Sequence, residues 1–291
     1  MLKKILRVTG IVLGSIVVLA IGYYVKVCIS VNNRHTKTYT VTPQVVNIPT
    51  DSASYALGGR LIKAKGCTDC HGDDMGGKNF IDDPALGLIV ARNLTKGKGG
   101  LPQDYSTADW VLALKHGLDR DHKPLIIMPA HEYTMLSEQD MGSIIAYCQT
   151  LPNVDRELEE SSIGPLGNIL TDAGKIALFP AEAIDHNRTL TKEVVPAVTV
   201  AYGEYVAVAC QGCHRKNMKG GEPVAPGFPV VADISSTGHP ANWTDEQFIA
   251  TLRTGKTPEG KVLNPKEMPW TMTKELTDVE LKALHLYLKS I

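Results

Sequence analysis

Cys67-Thr68-Asp69-Cys70-His71 sets two thiols and an imidazole within five residues, and Cys210-Gln211-Gly212-Cys213-His214 repeats the arrangement. Thiols three apart with a histidine next to the second suit covalent attachment of a porphyrin. Each sulfur forms a thioether, and the imidazole takes one axial position on the iron. A bare C-x-x-C also serves redox dithiols and zinc half-sites. Dithiol chemistry has no use for the histidine, and a zinc reading would have to join two half-sites that already hold three candidate ligands each. The pattern predicts two covalently attached haem c groups, with His71 and His214 as axial ligands. A second ligand is then needed on each iron, and a Met-Pro pair follows each motif. Met128 lies 58 residues beyond Cys70 and Met268 lies 55 beyond Cys213, each nine residues ahead of a helix cap. The proline stiffens the loop that carries the thioether, and a thioether opposite an imidazole raises the reduction potential. Met135 and Met272 are rivals, but their offsets from the following helix differ. Met75 and Met218 follow the histidine by only four residues, too short a loop to cross a porphyrin plane.

These groups must be positioned by a chain of 291 residues, enough for two domains of roughly a hundred residues each plus connections. With 30 basic and 31 acidic side chains the net charge is -1, and the lack of a basic footprint argues against nucleic acid as a partner. Four of the six cysteines belong to the motifs, so Cys28 and Cys148 allow at most one disulfide. Val8 to Val25 is an 18-residue run without a charge, flanked by Lys3, Lys4 and Arg7 on one side and Lys26 on the other. It is long enough to cross a bilayer. We read residues 1–28 as a retained transmembrane signal anchor, although Ala20-Ile21-Gly22 is a passable cleavage site. Basic residues on the two sides nearly balance and do not orient it. Residues 29–51, rich in Thr, Val and Asn with Pro43 and Pro49, are expected to form an extended tether.

Two helical units follow in one order, over residues 52–152 and 199–291. In the first, Ser52 to Ala64 reads as a helix that runs into the motif, and Gly72 to Gly100 reads as a glycine-rich loop. Ser106 to Asp109 is a capping box for a helix stopping at Gly117, and Ser137 to Asp140 opens one that ends before Pro152. In the second, Thr244 to Gln247 opens a helix stopping at Gly255, and Thr277 to Glu280 opens the last. Met128-Pro129 falls on Met268-Pro269, and Tyr147 on Tyr287, at one offset of 140. Cys148 then falls opposite Leu288, which makes it a small buried apolar residue. Histidines outside the motifs read as surface or internally satisfied, with His116 and His131 nearest Met128. Residues 153–198 begin acidic and then carry Ile163, Leu166, Ile169, Leu170, Leu178 and Phe179, too apolar to float in water. They are expected to form a packed connector.

Each unit resembles a class I cytochrome c domain, an all-α fold in which a few helices enclose one haem. The helix before C-x-x-C-H, the Asn93-Leu94-Thr95 turn, and Met-Pro ahead of a capped helix with Tyr147 or Tyr287 carry the resemblance. Two tandem domains behind a transmembrane helix are similar to membrane-anchored di-haem cytochromes and to the cytochrome subunits of membrane-bound alcohol and gluconate dehydrogenases, although those usually carry three haem domains. The resemblance implies Cys67, Cys70, His71 and Met128 as one haem-binding set and Cys210, Cys213, His214 and Met268 as the other. His71, Met128, His214 and Met268 would be the iron ligands. It also implies attachment outside the cytoplasm, hence a single-pass protein of the cell inner membrane with its haem domains on the periplasmic side.

His/Met ligation leaves no open iron position, so the expected role is electron transfer between membrane-bound redox partners: a dehydrogenase, a quinol-oxidising complex or a terminal oxidase. A di-haem peroxidase would need an open iron, which the paired Met-Pro motifs oppose. A structural subunit with incidental haems would leave two complete sites unexplained. The chain reads as an electron carrier and not itself an enzyme.

Overall fold

In the computed structural model, which describes residues 1–224 and 227–291, the two units are helical and built alike. In the first, α2 (Ser52–Ala64) crosses the later helix α6 (Glu138–Cys148); in the second, α8 (Val200–Ala207) crosses α12 (Asp278–Ser290). Each crossing is close because a glycine sits at its centre. A Cβ on Gly58 would stand 2.0 Å from the Ser143 carbonyl oxygen, and one on Gly203 2.0 Å from that of Ala283. Leu61, Ile62, Met141, Ile144, Ile145 and Cys148 fill the first core, and Val206, Leu281, Leu284 and Leu288 the second. Their spacing puts an apolar stripe on each crossing face. Gly58→Ala must push α2 off α6, and overpacking of this kind costs about 1–3 kcal/mol. We expect that variant to lower the calorimetric unfolding midpoint by several degrees; an unchanged midpoint would show that the crossing can widen freely.

The caps follow the sequence signals. α4 (Thr107–Val111) starts at the box formed by Ser106 and Asp109, continues as a π-helical stretch (Leu112–His116) and stops at Gly117, whose φ of 64° suits glycine. α10 (Asp245–Thr254) and α12 start at the boxes of Thr244 with Gln247 and Thr277 with Glu280. Ser137 caps α6 without a closed box, because the Asp140 carboxyl is engaged by Tyr205.

The fold is mostly helical, but the stretch expected as a glycine-rich loop also holds strands. β1 (Lys78–Asp83) and β2 (Gly87–Ala91) form a hairpin, and β3 (Ser162–Ile163) from the connector pairs with β2 to complete a small antiparallel sheet. Strands this short carry too few alternations for periodicity to register.

The boundary between anchor and tether also differs. α1 (Leu2–His35) is one helix of 34 residues and continues well past Val25. Val27 and Val31, one turn apart, are buried beyond the apolar run, so packing sustains the helix there. Residues 36–50 are extended but fastened to the first domain. The Tyr39 N–H donates to the His122 carbonyl, Gln44 Oε1 accepts from the Leu190 N–H, the Asn47 N–H donates to Glu138, and Val46 joins the first core. They form a strap, not a free linker. Residues 153–198 lie against the same domain and α1: Asn93 donates to the Val154 carbonyl, Arg156 pairs with Asp74, Leu190 enters the first core, and α7 (Pro165–Asp172) lies beside α1.

Candidate functional site

Each C-x-x-C-H run lies on a short helix, α3 (Cys67–His71) and α9 (Gln211–His214), with Cys210 at the N-cap of the second. Residues three apart on a helical turn share a face, which turns both thiols of a motif the same way. The histidines are oriented by backbone. His71 Nδ1 donates to the Arg92 carbonyl at 2.8 Å, and His214 Nδ1 to the Ala232 carbonyl at 2.9 Å. A carbonyl only accepts, so the proton sits on Nδ1 and Nε2 keeps its lone pair for a metal. Burial holds both imidazoles below their usual pKa, in the neutral form that ligation needs.

The accepting carbonyls are fixed by matching loops. The Leu94 N–H donates to the Met75 carbonyl at 2.8 Å and the Ile234 N–H to that of Met218 at 2.9 Å. Asn93 Oδ1 takes the N–H and hydroxyl of Thr95, and Asp233 does the same for Ser235. Met75 and Met218 are buried with φ of 55° and 58°, so their part is in shaping these loops.

Met128 packs on the first core together with Cys67, and Met268 on the second together with Cys210. The rivals are placed differently: Met135 is exposed, and Met272 lies against Gly66 of the other domain. This donor set suits haem better than the other uses of C-x-x-C. Burial pushes the Cys67 and Cys70 thiols up to about 11 and Cys210 up to about 12, the reverse of an activated dithiol. Among the described residues, no three His, Cys, Asp or Glu side chains gather to hold a bare metal ion. His116, near Met128 in sequence, is buried but turned to the connector, with its Nδ1 3.0 Å from His186 Nδ1. Burial pushes it down to about 4 and keeps it neutral.

The two attachment loops face one another through reciprocal contacts. α5 (Ala130–Tyr133) and α11 (Trp270–Thr273) follow the Met-Pro pairs. Glu132 on α5 reaches α9, where a Cβ on Gly212 would stand 2.9 Å from its Oε1. Its counterpart Met272 on α11 reaches the N-cap of α3, where a Cβ on Gly66 would stand 3.5 Å from its Cε. The helices behind them exchange partners too. Arg60 on α2 donates to both oxygens of Glu280 on α12, at 2.7 and 3.1 Å. Tyr205 on α8 donates to Asp140 on α6 and accepts from the Ser137 N–H at 3.0 Å. Gly58 and Gly203 align Arg60 with Tyr205, and the offset of 140 aligns Asp140 with Glu280, so the two contacts are equivalent under the repeat. Burial pushes Glu132 up to about 7 against the opposing pull of Lys65. Near neutral pH, only part of its charge is therefore present beside the second loop.

Sequence reasoning missed these residues. Asp140 and Glu280 already had a local explanation as caps, and the offset pairing them was the one available signal.

The profile of the family described as Cytochrome c matches residues 55–152 and 200–291. The chain is 25% identical over 269 residues to the fructose dehydrogenase cytochrome subunit of Gluconobacter japonicus, covering 82% of this chain and 52% of that one. It is 32% identical over 105 residues to the gluconate 2-dehydrogenase cytochrome c subunit of Pantoea cypripedii, covering 33% of this chain and 24% of that one. It thus spans about half the length of the first relative and about a quarter of the second. With two matched domains, each presenting paired thiols and a backbone-oriented histidine, the chain belongs to the cytochrome c family and is an electron carrier with covalently attached haem.

Proposed function

We propose that the chain carries two haems, one per domain, and passes electrons between them on behalf of a membrane-bound dehydrogenase. When bound, each haem supplies one-electron chemistry. Cys67 and Cys70 hold the first covalently, and Cys210 and Cys213 the second. His71 with Met128 and His214 with Met268 take the axial positions. The observation that carries this reading is the reciprocal contact, in which the helix after each Met-Pro pair lies on the attachment helix of the other domain. That arrangement faces the two sites toward each other, and the bonds of Arg60 to Glu280 and Tyr205 to Asp140 hold them so.

That both relatives are cytochrome subunits of dehydrogenases supports a dehydrogenase as donor. A quinol-oxidising complex would be a second donor, and the acceptor is a terminal oxidase in the same membrane. α1, with its charge-free run from Val8 to Val25, supports a single-pass anchor in the inner membrane, and covalent haem attachment, which takes place outside the cytoplasm, puts the haem domains on the periplasmic side.

The chain purified in detergent from its own membranes should give two haems per chain by pyridine haemochrome assay. The dehydrogenase that co-purifies should reduce it when given substrate. One haem per chain would refute the two-site reading, and a chain that stays oxidised beside every co-purifying dehydrogenase would refute the partner.

A further inference from the structure

α7 is inverted. Thr171 is buried and Asp172 turns to α1, whereas Pro165, Leu166 and Ile169 are exposed and Leu170 is half-buried. Asn168 Nδ2 donates to the carbonyls of Ile163 and Gly164 at 3.1 and 3.0 Å, and the buried Thr171 donates its hydroxyl to the Gly167 carbonyl at 2.7 Å. Asp172 pairs with Lys26 of α1 at 3.2 Å. The outer face is Pro165, Leu166, Ile169 and, at the C-cap, Ala173, with Leu166 42% and Ile169 38% exposed. A helix facing water shows the opposite order.

The position of this face decides what covers it. Lys26 is the first charged residue after the apolar run, and it is the residue bonded to Asp172. Farther along α1, Arg34 donates to Glu182 at 2.6 and 2.8 Å and to the Thr171 carbonyl at 2.9 Å, and His35 stacks on Phe179 with ring centroids 5.4 Å apart. α7 is therefore locked against α1 between Lys26 and Arg34. At about 1.5 Å per residue, this stretch begins roughly 2 Å above Val25. The 18 apolar residues cover about 27 Å, close to the roughly 30 Å of a hydrocarbon core, so the level just beyond Lys26 is that of the lipid headgroups.

We infer that α7 is an interfacial helix whose Leu166 and Ile169 insert into the bilayer at the headgroup–acyl boundary beside α1. The occupant of this face is lipid. An apolar face at that depth, beside a spanning helix, is what a helix lying in the interface requires. The membrane then fixes the height and tilt of the first domain, and the reach of a flexible tether is replaced by a rigid mount. The inference rests on α1 being a membrane anchor, and the test separates the two.

Nitroxide labels are placed at Leu166→Cys and Ile169→Cys in the full-length, haem-loaded chain carrying Cys28→Ser, the remaining free thiol Cys148 being buried. Vesicles contain phosphatidylethanolamine and phosphatidylglycerol in equal parts. Labels at Val18→Cys and Glu159→Cys report the bilayer and the solvent. Power-saturation spectra should show positions 166 and 169 colliding with oxygen in preference to a water-soluble nickel chelate, as position 18 does and position 159 does not. If 166 and 169 are nickel-accessible while 18 remains in lipid, the anchor stands and the interfacial helix is refuted, its apolar face being left for a protein partner. If 18 is nickel-accessible as well, both readings fall. Haem content by pyridine haemochrome confirms that each labelled chain is folded.

Discussion

If each domain carries its proposed haem, Met128→Ala should leave one haem titrating at a lower potential and binding carbon monoxide, while the other keeps its wild-type behaviour. Met268→Ala should do the same to the other haem. The thioether is the weaker of the two axial donors, yet it sets the potential by favouring ferrous iron. Its loss should lower the potential on the order of 0.1 V or more, within the roughly 0.8 V that axial ligation commands. Both methionines pack on the edge of a core and belong to neither a thioether link nor a helix crossing, so their removal leaves both in place. The fold should survive. The decisive observation is the weak red absorption band that reports iron–thioether bonding. Were it undiminished in the double variant, Met128 and Met268 would not be ligands. Met135 and Met272 would then have to leave their surface and interdomain positions to serve.

Arg60→Ala should loosen the face between the domains. The Glu280 side chain is only 8% exposed and already spends one oxygen on the Thr277 N–H, so removing the guanidinium strands a buried carboxylate. Breaking one side of a buried pair costs about 3–5 kcal/mol, and Arg60, 27% exposed, places this case at the lower end. Calorimetry should show that loss. Flash-reduction kinetics should show electron equilibration between the haems slowed several-fold, because the two attachment loops are no longer held face to face. Adding Glu280→Gln should restore much of the stability, since no charge is left buried while the cap acceptor is retained. A change below about 1 kcal/mol in Arg60→Ala would mean the pair behaves as a surface contact and does not hold the domains.

Much of this protein was legible in its sequence because the informative features are local. Two thiols and an imidazole act within one helical turn, a capping box closes over four residues, and a proline fixes its own φ. Such groups keep their meaning wherever the chain carries them. The repeat extends that legibility: one offset places Met128 on Met268, and Cys148 opposite Leu288 as a buried core residue.

Only the tertiary structure decided the rest, where a residue's partner is far along the chain. The β1–β2 hairpin draws its third strand from the connector. Arg60 finds Glu280, 220 residues away, and Tyr205 takes Asp140 out of its own capping box. The segment between the anchor and α2 reads as a tether because the bonds that fasten it join Tyr39, Gln44 and Asn47 to His122, Leu190 and Glu138, none of them near in sequence. For α7 the sequence shows apolar residues expected to pack inward, but Leu166 and Ile169 are exposed. Burial of Thr171 and the pairing of Asp172 with Lys26 settle which side faces in, because a polar side chain is buried only where it finds a partner.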